Sequence, residues 1–350
     1  MKTAVVVDGN NLAYGIYSRV KESRGGLLHS STGIPTTVIF GFMRSLNAFA
    51  KMVGSVDRVI IAWDVGGGSK MRKEIFPEYK VQRSYNDMDD YFAELKAARE
   101  YLPLFGIGSA PCQGIEADDA IGYYARKYLK QGYRTIIYSN DKDYYQLLRP
   151  NLKLKIWRPI TDEMLDCGDV ATKLGHDPRW LPRLQALTGQ QKDNIPGACD
   201  LDDNGKMQLF GFGPAKAKKV LFHDDGVAAV CLSLKEARQR LKEDSPVNED
   251  FTKQLLRNWK QVKLSYKLSK IRSARKEYSE PELQALDTAW DAASEIHAKK
   301  YRVSDWALHA EMLDIKSIPV AAISRALGVQ VKGKDKVSSS SGRGRIKVKV

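Results

Sequence analysis

The sequence is poor in the residues that build soft-metal sites and covalent cross-links. Its 350 residues include four cysteines and five histidines. Cys112, Cys167, Cys199 and Cys231 are widely separated, with no C-x-x-C spacing, which argues against a zinc site and for reduced thiols. Long apolar runs are missing too. Every one falls well short of the roughly 18 residues that suggest a bilayer span, and the N-terminus enters an apolar strand pattern at Ala4 without a charged leader. A disulfide scaffold and a membrane span are thereby excluded, and a cytoplasmic protein is the expectation. The 43% hydrophobic fraction suffices for a real core.

Acidic charge is in short supply as well: 42 Asp and Glu stand against 56 Lys and Arg, a net charge of +14. The acids that are present are placed unevenly. Three apolar strand patterns run into aspartate, at Val7-Asp8, Trp63-Asp64 and Ser139-Asn140-Asp141, and acidic groups follow at Glu116-Ala117-Asp118-Asp119, Asp143 and Asp193. Singly, each reads as a helix cap or turn former. Jointly they suggest a crevice at the carboxyl ends of parallel strands, where converging carboxylates need a cation. Oxygen ligands point to Mg²⁺ or Mn²⁺, and the basic background points to nucleic acid.

The pattern opens β-α-β: a strand to Asp8, a helix from about Asn11, a second helix from Pro35 to near Val53, and a strand from Arg58 to Trp63. A helix from about Asp89 to Phe105, another opened by Glu116, and strands at 133–139 and 152–157 continue the alternation, which argues for a largely parallel sheet flanked by helices. Beyond about residue 165 helical patterns dominate. Gly211-Phe212-Gly213-Pro214-Ala215-Lys216 reads as a hairpin opening a helix whose N-terminal amides and nearby Lys216, Lys218 and Lys219 suit a phosphate. The last twenty residues hold seven Lys or Arg against Asp335 and read as a basic disordered tail.

In order, Val7-Asp8-Gly9-Asn10-Asn11, Ala62-Trp63-Asp64, Pro77-Glu78-Tyr79-Lys80 with Arg83, Gly114 to Asp119, Ser139 to Asp143, Asp193 to Gly197 and Gly211 to Lys216 resemble the 5′ nuclease family. That family comprises flap endonucleases, bacteriophage 5′ to 3′ exonucleases and the N-terminal nuclease domain of bacterial DNA polymerases. The resemblance implies an α/β, PIN-like, mostly parallel sheet with a helical arch and a helix-hairpin-helix region. It divides the chain into a nuclease domain at 1–165 with an arch at 84–110, a helical DNA-binding region at 166–330 with the hairpin element at 209–222, and a tail at 331–350.

The resemblance further implies two ions of Mg²⁺ or Mn²⁺, one near Asp8, Asp64, Glu116 and Asp118 and a second near Asp141, Asp143 and Asp193, with Asp119 as an additional acid. It implies that Lys80 and Arg83 contact the scissile phosphate, that Tyr79 stacks on a base, and that K⁺ sits at the hairpin element. A monomer acting on DNA with a 5′ flap, nick or RNA primer, alongside replication proteins, is the expectation.

Three departures stand out. Gln190 replaces a characteristic aspartate of the second ion. An insertion at 198–210 contains Asp200-Leu201-Asp202-Asp203-Asn204-Gly205, half of a calcium loop, with Asp202 or Asp203 as candidate replacement acids. The arch segment is acidic. A junction-binding protein with weak or lost catalysis and a PIN-type ribonuclease are the alternatives.

Overall fold

The computed structural model describes residues 1–23, 25–83, 86–201, 207–208, 213–222 and 231–332. One sheet contains β1 (Thr3–Asp8), β2 (Arg58–Asp64), β3 (Gly108–Cys112), β4 (Arg134–Tyr138), β5 (Leu154–Arg158) and β6 (Glu163–Leu165), in the order β3-β2-β1-β4-β5-β6. Neighbouring strands are parallel except β5 and β6. The chain first winds outward through β2 and β3, then returns past β1 to form β4. This reversal places the switch point, where a crevice opens at the strand carboxyl ends, between β1 and β4. β1 is buried along its whole length, as befits a parallel strand covered on both faces.

Helices α1 (Gly9–Lys21), α2 (Thr37–Val53), α3 (Lys70–Ile75), α4 (Asp89–Tyr101) and α5 (Ala117–Lys130) connect the first four strands. In α2, Ile39, Phe42, Met43, Leu46, Phe49 and Ala50 recur at helical spacing and form the buried stripe that lies on one sheet face. Ala120, Ile121, Tyr124, Ala125 and Tyr128 of α5 cover the other face. Gly9 is fixed by this packing, since a Cβ there would lie 2.4 Å from the Trp63 ring.

A second core is built by α7 (Leu181–Thr188), α8 (Pro214–Leu221), α9 (Leu234–Glu243), α10 (Glu249–Arg257) and α11 (Trp259–Ser269), which follow α6 (Cys167–Leu174). Leu184, Leu187, Val220, Leu241, Trp259 and Val262 meet there. Phe76, Tyr79, Ile195 and Leu268 form a small apolar seam beside it.

Several expectations are corrected. One face of the interval read as an arch is core: Tyr91, Leu95, Ala97 and Ala98 of α4 pack in the main cluster, and the interval ends in β3. The boundary near residue 165 does not divide the chain in two. Helices α12 (Glu280–Ala298), α13 (Val303–Met312) and α14 (Val320–Ala326) return to the sheet. Trp290 and Ala293 join the core beneath α5, while Trp306, Leu313, Ile323 and Leu327 join the core beneath α2. Within the insertion, β7 (Asp200–Leu201) and β8 (Met207–Gln208) pair antiparallel. Asp202, Asp203, Gly211 and the tail from residue 333 lie outside the described residues.

Candidate active site

The parallel register brings Asp8, Asp64 and the residues after β4 to one edge of the sheet: Asp8 pairs with Ala62, and Val7 with Tyr138. Asp8 is buried and caps α1, accepting from the Asn11 amide at 3.0 Å. It also accepts from Ser139 Oγ at 2.9 Å and Tyr144 Oη at 3.1 Å. Asp64 accepts from the Ala117 amide at 2.7 Å, so it tethers the N-terminus of α5 as well as facing the crevice.

Asp118 shares the Tyr144 hydroxyl, at 2.6 Å. A phenol has one hydrogen to donate, so two ionised carboxylates cannot both be satisfied by it. With that hydrogen given to one of them, two negative charges face each other across the hydroxyl, an arrangement that a proton or a cation relieves. Burial, opposed in part by hydrogen bonds from Asn11, Ser139 and Tyr144, and repulsion from Asp141 raise the Asp8 carboxyl to about 6. Burial, with repulsion from Asp141 and Asp8, pushes Asp118 well above the ordinary range. An all-oxygen set whose carboxyls resist ionisation fits a hard divalent cation. Among the described residues, however, no three His, Cys, Asp or Glu side chains are already closed into a cage; each carboxylate is turned onto protein donors.

Glu116, at the N-cap of α5, accepts from Arg72 Nη1 at 2.6 Å, Lys80 Nζ at 2.8 Å and Tyr79 Oη at 3.3 Å. Although burial disfavours its ammonium, Glu116 holds Lys80 charged, with its pKa above the usual lysine range. Lys80 adopts the left-handed region at φ 57°, and its amide donates to the Asp193 carbonyl at 3.0 Å. A lysine there is a locally costly conformation held by its surroundings. Arg83 pairs with the Asp193 carboxylate. The two cations expected at the phosphate thus flank the crevice from one loop.

Four of the residues singled out in the sequence are differently employed. Tyr79 is 3% exposed and packs in the seam with Phe76 and Leu268, so its ring is not open to stack on a base. Asp119 is completely buried and turned away from Asp118. Its oxygens receive Arg72 Nη1 and Nη2, each at 3.0 Å, and Arg272 N and Nε, each at 2.9 Å. Burial would raise its pKa, but the two guanidiniums outweigh that and hold it below the carboxylate range. Asp193 goes to Arg83 rather than to Asp141 and Asp143. Lys218 donates to the Leu174 carbonyl at 2.7 Å instead of facing outward. Nearby, Lys216 lies 3.4 Å from the Phe251 ring centroid and Lys219 is exposed; Gly213 caps α8, with Pro214 at its first position.

The second acidic pair is occupied by a side chain that the sequence reading passed over. Lys192 Nζ lies 3.1 Å from Asp141 Oδ2 and 3.1 Å from Asp143 Oδ2. Gln185 and Gln190 donate to Asp143 Oδ1 at 2.8 and 3.0 Å. Tyr144, Ser139, Lys192 and Arg72 were not selected by the sequence reading. Tyr144 directly follows the Asp141-Lys142-Asp143 run and Lys192 directly precedes Asp193, which was the only local signal for either.

Comparison with known proteins agrees with this architecture. The family model described as 5′-3′ exonuclease, N-terminal resolvase-like domain, matches residues 3–175. A 5′-3′ exonuclease of Aquifex aeolicus (strain VF5) is 32% identical over 221 residues, covering 63% of this chain and 69% of that protein. The thermostable DNA polymerase I of Thermus aquaticus is 29% identical over 269 residues, 77% of this chain but only 28% of the polymerase. Among solved structures, the 5′-exonuclease of bacteriophage T5, described with divalent zinc ions bound, has 18% identity and a TM-score of 0.62 over 83% of this chain and 100% of that one. That likeness establishes a shared fold. Sequence and fold together place the chain in the 5′-3′ exonuclease family, a family of nucleases.

Proposed function

We propose that this protein is a metal-dependent 5′ nuclease that cleaves phosphodiesters at the 5′ ends and single-to-double-strand junctions of DNA, removing flaps or RNA primers during replication. The observation that carries the reading is the pair of buried Asp8 and half-buried Asp118 sharing one hydroxyl, with Lys80 and Arg83 on the neighbouring loop. A divalent cation bound by Asp8 and Asp118 would supply Lewis-acid polarisation of a phosphate and a lower pKa for attacking water. The chain's own side chains do the rest. Lys80 offers a compact charge and Arg83 a planar fork, which together attract and orient a phosphate while charge develops on it. Asn11 and Ser139 fix the Asp8 carboxylate, and Asp64 fixes the helix that carries Asp118.

The direct test is incubation with labelled 5′-flap, nicked and blunt duplexes over a Mg²⁺ and Mn²⁺ series, product length separating endonuclease from exonuclease. Asp118→Asn is expected to lose several kcal/mol of transition-state stabilisation, roughly a thousandfold in kcat, while flap binding persists. Lys192 across Asp141 and Asp143 favours a second reading, a junction binder with weak catalysis. Binding to flaps without product at any metal level would select it.

A further inference from the structure

We infer that Lys192 is a built-in cation for the Asp141 and Asp143 pair, so that the crevice takes one divalent ion, at Asp8 and Asp118, and an ammonium in place of a second. This inference rests on the metal-dependent reading above and departs from the two ions that the family resemblance implies.

The geometry leaves the second pair fully engaged. Both Asp143 oxygens have partners, Oδ1 receiving two amide N–H groups and Oδ2 the ammonium, and Asp141 Oδ1 also accepts from the Asp143 amide at 2.8 Å. Gln185 donates from α7, and Gln190 and Lys192 are held by a stiff turn. Gln190 and Ile195 exchange backbone hydrogen bonds at 2.9 and 3.0 Å, Asn194 takes the left-handed conformation at φ 54°, and a Cβ on Gly197 would come within 2.3 Å of the Gly189 amide nitrogen. Within this turn Gln190 and Lys192 point to Asp143, while Asp193 is drawn to Arg83. The residue that would supply a further negative ligand is an amide, and the next but one supplies a positive charge. A ligand set of two carboxylates whose charge is already half offset by an ammonium, and one of which is capped by two amides, does not fit a second divalent ion.

Mn²⁺ binding to the full-length protein, counted by electron paramagnetic resonance of the free ion and by calorimetry, separates the possibilities. The parent is expected to bind one Mn²⁺, and Gln190→Asp combined with Lys192→Ala is expected to tighten a second site by ~10–100-fold, the range seen when ligand-contacting groups are altered. Lys192→Arg, which keeps the charge, should remain at one. Two ions of comparable affinity in the parent, or an unchanged count in the double variant, would overturn the inference. No ion bound by the parent would instead overturn the metal-dependent reading. A second readout does not need activity: in EDTA, Lys192→Met should lower Tm, and added Mn²⁺ should recover more of that loss than it adds to the parent. Equal Mn²⁺ shifts in both proteins would count against the inference.

Discussion

At the scale of single residues, the crevice contains two kinds of carboxylate that look alike in the sequence. Asp119 is a structural anion. It joins α5 to Arg72 and Arg272, and removing it would leave each guanidinium with one carboxylate partner, Glu116 or Glu282, and several buried N–H groups without an acceptor. Asp119→Ala is therefore expected to cost about 3–5 kcal/mol, measured by urea unfolding, whereas a solvent-facing metal ligand would cost little in EDTA. Asp8 behaves in the opposite sense. Its carboxyl is raised to about 6 from 3.8, so the folded protein binds that proton more tightly than the unfolded chain. Its stabilising contribution is complete below about pH 4 and is lost as pH rises through about 6. In EDTA, Asp8→Asn should thus raise Tm relative to the parent at pH 8, with the gain shrinking as pH falls to 5. A pH-independent difference would mean that Asp8 is not held in this way. Nothing local in the sequence separates these residues, because the side chains that distinguish them come from positions 47 to 153 residues away.

At the scale of elements, the strands whose side chains are branched and apolar were legible from composition, and those whose burial depends on a distant helix were not. β1 and β2 end on aspartates, β4 leads to Asp141 three residues on, and all three were readable. β3, Gly108-Ser109-Ala110-Pro111-Cys112, has no branched or aromatic residue; its strand conformation comes from pairing with β2 on one side and from α12 on the other. A Cβ on Gly108 would lie 2.6 Å from the Ala293 carbonyl oxygen, which is how closely that helix approaches. The acidic segment before it was misread for a related reason, since charge in a sequence does not report burial. Glu94 is 1% exposed, and its carboxylate accepts from the Thr37 and Val38 amides at 3.2 and 2.9 Å. It therefore caps α2 from another helix, supplying the acceptors that Thr36 does not. Glu94→Ala should cost about 1–3 kcal/mol of global stability by leaving those amides unpaired. Glu100→Ala, on the same helix, should cost much less in the same denaturant titration.

At the scale of the whole molecule, the nuclease body is closed by its last described helices. Trp290, Ala293, Trp306, Leu313, Ile323 and Leu327 complete cores begun before residue 140. Each large apolar side chain there contributes about 1.5–3 kcal/mol on burial, and together they rival the net stability of about 5–15 kcal/mol expected of a domain. A fragment ending at residue 279 is expected to keep far-UV helical signal but lose near-UV signal and cooperative melting. Sharp two-state unfolding of that fragment would show that the first half is self-sufficient. The general order of motifs was readable because strand ends and turns are local; this closure was not, because amphipathic helices do not state their partners.

The position of α12 also has a meaning in time. On a ribosome adding ~5–20 residues per second, β3 emerges roughly 10 to 40 s before the helix that covers its outer edge. Throughout that interval an uncovered strand edge is available to other nascent chains. Pro111, the exposed residue of β3, has no amide hydrogen to offer such a partner. The imino acid that made the strand hard to recognise is thus suited to protect it until synthesis catches up.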